Sequence, residues 1–273
     1  MPHDTSRSHS NPAWQRELTS RQPLIPGSIL AELASAFGLE EVRERRVTDV
    51  SFDRLSRNLG VLAALAGDGM GLLPVVPDAV TAEVTSPEQA VEKSHRLTAA
   101  VADKGTGSLF DEAAAAALDR RRELISKQAD RRPQQATPEG AHGWTHGDVQ
   151  YRNLLWDGEE LAAVLDWDRV GVRPYAEEVA RTAQVQFGVD GVFDLACVSA
   201  FVGGYRSVMP LEDSALADGV RRLWWKRMSD FWQLEFHYDR GDFSCDELFT
   251  ADEVLLHWWT DRLDQVEDAF AAG

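Results

Sequence analysis

The stretch GWTHGDVQYRNLLWDGEELAAVLDWDRVG, residues 143–171, decides how the rest of the chain is read. Asn153 to Trp156 and Leu161 to Trp167 are apolar, β-prone runs, and the Asp157-Gly158 pair between them is a strong short-range turn signal. The pattern predicts a hairpin. His146-Gly147-Asp148 ends a short segment ahead of it, and Asn153 stands five residues after Asp148 at the entrance of the first strand. Asp166 closes the second strand and is followed by Trp167 and Asp168. Pairing the strands brings Asp148, Asn153 and Asp166 to one end of the same sheet. Three oxygen-bearing side chains there suit Mg2+, a hard cation that takes carboxylate, amide and phosphate oxygens. Phosphoryl transfer needs this inventory: one carboxylate to orient a hydroxyl and accept its proton, and further oxygens to hold metal.

At these residues the chain resembles the aminoglycoside phosphotransferase and choline kinase-like family, whose HGDxxxxN and hydrophobic-strand-LDWD motifs stand here as HGDVQYRN and AVLDWD. The Asp-to-Asn spacing is also that of the protein kinase catalytic loop. The resemblance implies an α+β, protein kinase-like two-lobed fold and an ATP- or GTP-dependent transferase acting on a small-molecule hydroxyl, antibiotic-inactivating members included. It implies Asp148 as catalytic base, Asn153 and Asp166 as Mg2+ ligands, and His146 as a support of the metal-binding loop. Asp168 is a possible secondary contact. Glu178, in YAEEVAR, matches an acidic helix position and is expected to be a structural partner of the catalytic loop.

Outward from the hairpin, helices are expected to dominate. Apolar spacing predicts them over Pro174 to Phe187, Val192 to Val208, Asp213 to about Tyr238, and Ala251 to Ala271. Upstream, Ser86-Pro87-Glu88-Gln89 is a helix start with a capping residue, a proline at the first turn and a capping-box glutamine. That helix runs towards Ala102, and another spans Asp111 to about Asp130, alanine-rich first and basic at its end. RRPQQATPEG, residues 131–140, is a loop. Ser28 to Phe37 and Asp53 to Ala66 have helical spacing, Arg45 to Thr48 is a plausible strand, and the prolines of LLPVVPDAV make residues 72–80 extended. The expected organisation is a disordered tail over 1–22, a reduced N-terminal nucleotide lobe over 23–85, and a helical lobe with the hairpin over 86–273.

The N-terminal part departs from the family pattern. No G-x-G-x-x-G or P-loop sequence occurs, and the only lysines are Lys93, Lys104, Lys127 and Lys226, none of them ahead of the Asp53 helix. Arg46 is the best stand-in as a nucleotide-phosphate contact, since a guanidinium can clamp phosphate; a solvated basic patch of Arg43, Arg45 and Arg46 is the alternative. With the lid missing, a kinase-like binding protein without catalysis, or a natural-product biosynthesis protein with other chemistry, stays open beside the transferase.

Bulk properties narrow the partners. Of 273 residues, 45 are acidic and 28 basic, a formal charge of −17 that repels a phosphate backbone and makes nucleic acid a poor partner. Such a surface attracts a cationic small molecule, or merely keeps the protein soluble. No apolar run approaches the roughly 18 residues of a membrane span, and Cys197 and Cys245 offer neither a disulfide framework nor metal spacing. A cytoplasmic home is therefore expected, while Mg2+, a nucleotide and a small acceptor are what the resemblance implies. Trp224, Trp225, Trp232, Trp258 and Trp259 read as core or as groove packing, and the acidic, aromatic interval 221–240 is a candidate acceptor wall.

Overall fold

The computed structural model describes residues 76–273 apart from 159, 167 and 168. The expected tail over 1–22, the elements over 28–66, the site candidate Arg46 with its neighbours Arg43 and Arg45, and the pair Trp167 and Asp168 all lie outside the described residues.

The chain enters as an extended segment, as its prolines dictate. Its backbone is held from the side: Ala82 N–H donates to Ala136 at 2.8 Å, and Arg132 donates to the carbonyls of Val84 and Thr85. Helix α1, Pro87–Lys104, starts with the expected capping box. Gln89 N–H donates to Ser86 Oγ at 3.2 Å and Ser86 N–H to Gln89 Oε1 at 2.8 Å. Helix α2, Leu109–Gln128, begins two residues before the expected start because Ser108 and Asp111 form a second capping box. The Asp111 carboxylate also accepts from Tyr238 OH at 2.6 Å, and that bond with those from Ser108 holds it well below the usual carboxylate range.

Three two-stranded antiparallel sheets follow. Strand β1, His142–Thr145, pairs with β4, Gly171–Pro174, a partner hidden in sequence because GVRP looks like a helix approach. Between them lies the expected hairpin of β2, Leu154–Asp157, and β3, Glu160–Val164. Asp157 is still in the strand, opposite Glu160; Gly158 opens the connection at φ +59, a left-handed conformation glycine adopts without strain. Pro174 then caps α3, Tyr175–Phe187.

The helix expected over Val192 to Val208 is shorter, α4 at Leu195–Arg206. It is preceded by a miniature hairpin of β5, Gly188–Val189, and β6, Val192–Phe193. Asp190 and Gly191 turn it with φ of +52 and +77, the positive pair a tight two-residue hairpin turn demands. The helix expected over Asp213 to Tyr238 is broken. Helix α5, Asp213–Ser229, stops where Asp230 turns extended and gives its carbonyl to Arg121 Nη1 at 2.6 Å. A short α6, Trp232–Glu235, and one wide turn over Phe236–Arg240 complete the segment. The last expected helix is also two, α7 at Asp246–Asp261 and α8 at Leu263–Ala271, separated at Arg262.

Among the described residues the architecture is thus α+β, mostly helical, with small sheets. Helix α3 packs on α5, and α8 packs on α4 and α5. Trp224, Trp225 and Trp259 are buried in one core with Phe187 and Phe201, so the core reading holds for these three tryptophans. Cys197 is buried there too, its thiol pushed up to about 12 by desolvation. No described helix is long and apolar enough to cross a membrane.

Among the described residues, one ion pair is fully enclosed. Arg121 donates through Nε at 2.7 Å, and through Nη2, to Glu253 Oε1, with both residues 4% exposed. Removing one partner strands a buried charge, so Arg121→Met should cost about 3–5 kcal/mol. Adding Glu253→Gln should restore most of that loss, read as urea midpoints of the single and double variants.

Candidate active site

Each end of the hairpin is tied to the loop before it. His146 leaves β1 buried, and its Nε2–H donates to the Leu165 carbonyl at 2.7 Å. Its Nδ1 accepts from Asp148 N–H at 3.2 Å, so the ring spans from the loop to the chain beyond β3. Leu165 is gripped on its other side as well, where its N–H donates to the Asn153 carbonyl at 2.8 Å. Asn153 closes a single 3-10 turn, Tyr151–Asn153, and its side-chain Nδ2 donates to the Asp148 carbonyl at 2.9 Å. These bonds place Asp148, Asn153 and the residue after Leu165, Asp166, around one end of the β2–β3 hairpin. Asp166 is exposed and left-handed at φ +61.

Gly147 makes the loop's sharp turn. Its φ is +82, and a Cβ built on it would lie 2.4 Å from the Arg169 carbonyl oxygen, so no other residue fits. Its N–H donates to both carboxylate oxygens of Glu178, at 2.9 and 3.2 Å, which is how α3 reaches the loop. Burial pushes the Glu178 carboxyl above its ordinary value; the Gly147 bond and the charges of Arg181 and Arg173 oppose the rise. On the opposite strand, Arg173 Nη1 donates to Thr145 Oγ1 at 3.1 Å and closes the base of the loop.

Asp148 holds a mostly buried carboxylate with two partners that sequence reasoning missed. Arg181 Nη2 donates to Oδ1 at 2.5 Å, and Gln150 Nε2 donates to Oδ2 at 3.2 Å. The sequence did carry a signal for Arg181, since it stands three residues after Glu178 and so on an adjoining part of the same helix face. Its Nη1 is buried and has no hydrogen-bond partner among the described residues.

An oxygen-ligated cation fits this donor set. With Nδ2 committed to the Asp148 carbonyl, the Asn153 amide has its Oδ1 left to accept or ligate, and Asp166 supplies an exposed carboxylate. Of the wall expected over 221–240, Asp230 and Trp232 line a small cleft. Glu235 pairs with Lys93 and Arg96, Asp239 pairs with Arg96, and His237 sits on Asp246.

Residues 27–211 match the profile described as the phosphotransferase enzyme family. Among solved structures, the chain is similar to the apoenzyme of a macrolide 2'-phosphotransferase from Brachybacterium faecium. That match has 17% identity and a TM-score of 0.36, covering 76% of this chain and 59% of that one. It is also similar to a glucosamine kinase, at 17% identity and a TM-score of 0.39, covering 80% and 56%. The chain therefore spans less than two thirds of either protein. No curated protein matches it significantly.

Glu178 yields a pH test. A carboxyl raised on folding binds its proton more tightly in the folded than in the unfolded state. Its contribution to stability is thus present below the ordinary value of 4.5 and is lost as pH rises through the folded value. Glu178→Gln keeps an acceptor for Gly147 and removes the ionisation. Its stability, from urea midpoints at successive pH values above about 4.5, should fall less steeply than that of the parent.

Proposed function

We propose, from the premise that the chain belongs to the phosphotransferase enzyme family, that it moves the γ-phosphoryl group of ATP or GTP to a hydroxyl of a small acceptor. The observation that carries the reading is the Leu165 peptide held between His146 and Asn153, which gathers Asp148, Asn153 and Asp166 at one hairpin end.

In this reading Asp148 is the catalytic base. The acceptor oxygen forms a bond to the γ-phosphorus, the bond from that phosphorus to the β,γ-bridging oxygen breaks, and the hydroxyl proton passes to Asp148. The nucleoside diphosphate leaves. An arginine on the base is compatible with that role, because the transition state is loose and orientation contributes more than basicity. Arg181 and Gln150 fix the two carboxylate oxygens, and His146 fixes the backbone of the loop that bears them. Asn153 and Asp166 would hold Mg2+, with Asp168 as a secondary contact. Bound there, the metal supplies charge neutralisation for the phosphate oxygens. Glu178 positions the Gly147 turn, and Arg46 would contact nucleotide phosphate.

A second reading draws on the same ion pair. Because Arg181 occupies one oxygen of the Asp148 carboxylate, the pair also suits a kinase-like protein that binds without transferring phosphate.

Asp148→Asn should lower turnover by about 10²–10⁴-fold, the range for loss of a general base, while leaving a thermal shift with nucleotide and Mg2+ intact. Asp166→Ala should abolish that shift. A mass-shift assay over a panel of hydroxylated amines reads the turnover. A nucleotide shift with no phosphorylated product in the parent protein would select the binding protein instead.

A further inference from the structure

The turn that presents Asp148 is made by a glycine, and a glycine does not hold a turn by itself. The freedom that lets Gly147 take φ +82 without strain also lets it leave that conformation easily. Asp148 is the next residue, so drift of the Gly147 peptide carries the carboxylate with it. Arg181 and Gln150 hold the carboxylate oxygens, but the backbone behind them is set by the turn. The bond from Asp148 N–H to His146 Nδ1 is 3.2 Å, at the long end of the usual range. The turn therefore needs restraint from outside the loop.

Glu178 supplies it on one side, through the two bonds it accepts from the Gly147 N–H. Arg173 covers the other side, from which a side chain would project. A Cβ built on Gly147 would lie 2.7 Å from Arg173 Nη1 and 3.1 Å from its Cζ, so the guanidinium fills the room that the missing side chain leaves. A Cβ on Gly171 would lie 3.2 Å from Nη1, 3.4 Å from Cζ and 3.4 Å from Nη2. Three nearly equal distances put Gly171 against the body of the same guanidinium rather than against one corner. The head group thus has a glycine of the loop and a glycine of its own strand packed on it. Its edge is fixed by the bond from Nη1 to Thr145 Oγ1, and Thr145 Oγ1 donates in turn to the Gly171 carbonyl at 3.0 Å. The charge of Arg173 reaches Glu177 and Glu178, yet the contacts that place its head group are two glycines and a threonine. A planar group packed in this way acts through its shape, which a lysine does not share.

We propose that Arg173 is a positioning residue for Asp148: packed on the Cα face of Gly147, its guanidinium holds the glycine turn in the left-handed conformation that aims the carboxylate at the acceptor hydroxyl. The effect on turnover rests on the transferase reading; the rigidity of the turn does not.

The test is a double-variant cycle. Alone, Arg173→Ala should lower kcat about tenfold to a hundredfold, the loss that a small misplacement of a reacting group brings, and leave KM for nucleotide and acceptor within about twofold. In an Asp148→Asn background the same substitution should cost less than about threefold, because a base that has been removed cannot be misplaced. A residue whose loss merely loosened the lobe would cost the same in both backgrounds. Arg173→Lys keeps the charge without the plane, so its kcat should fall nearly as far as that of Arg173→Ala. Hydrogen exchange without nucleotide reads the turn directly. Amides over residues 142–153 should exchange about tenfold or more faster in both single variants, while α5 keeps the protection of the parent.

Equal losses in the two backgrounds, parental kcat in Arg173→Lys, or parental exchange over 142–153 in Arg173→Ala would each overturn the inference. Should Arg173→Ala fail to fold, the cycle is run on Arg173→Lys, which keeps the aliphatic stem and the charge. A parent protein that transfers no phosphate would refute the transferase reading and leave the turn to be judged on the exchange rates.

Discussion

The Leu165 peptide is the joint on which the site depends. Its carbonyl takes the His146 ring and its N–H gives to Asn153, so the loop before the hairpin and the chain after it are fastened to one peptide unit. Without that joint, Asp148 and Asp166 would be ends of separate loops, and holding two loops together costs conformational entropy for every residue ordered. Two left-handed residues flank the arrangement. Gly147 accepts φ +82 without penalty, whereas Asp166 at φ +61 carries strain of about 1–3 kcal/mol that only a well-determined surrounding sustains. Backbone strain of this kind clusters at functional sites.

The electrostatics of the site oppose those of the whole chain. A formal charge of −17 would repel a nucleotide from most of the surface. Around the loop, however, two arginines stand close: Arg173 backs Thr145, and Arg181 holds Asp148. Local positive groups in a low-dielectric setting act more strongly than distant, screened negative ones. The acidic excess therefore governs solubility and long-range approach, while the arginines govern what the site tolerates at contact.

Much of this was legible because the stretch over 143–171 is local. A turn between two β-prone runs, a histidine-glycine-aspartate ahead of it and an asparagine at fixed spacing are all properties of neighbours in sequence, and so was the Ser86 capping box. What escaped was long-range. Strand β4 has no β signature of its own and exists because β1 lies beside it, with Thr145 opposite Gly171. Helix α5 ends at Asp230 because Arg121, far earlier in the chain, takes that residue's carbonyl. The Asp190-Gly191 turn was the exception, since it carried the same local signal as the main hairpin and was masked by apolar residues that continue into α4. Arg181 escaped for the same reason, since its partner Asp148 stands 33 residues earlier on another element.

Helix α3 ties these levels together. Glu178, Arg181 and Gln184 recur every three residues, each step rising about 4.5 Å along the axis. They touch, in turn, the Gly147 turn, the Asp148 carboxylate and Arg227. One rigid element therefore sets the offset between the Asp148 carboxylate and Arg227, and α5 packs along it to keep that offset. That spacing is fixed by helical rise rather than by a flexible loop. Exchanging the side chain at 181 or 184 alters which group is held at each level without altering how far apart the levels stand.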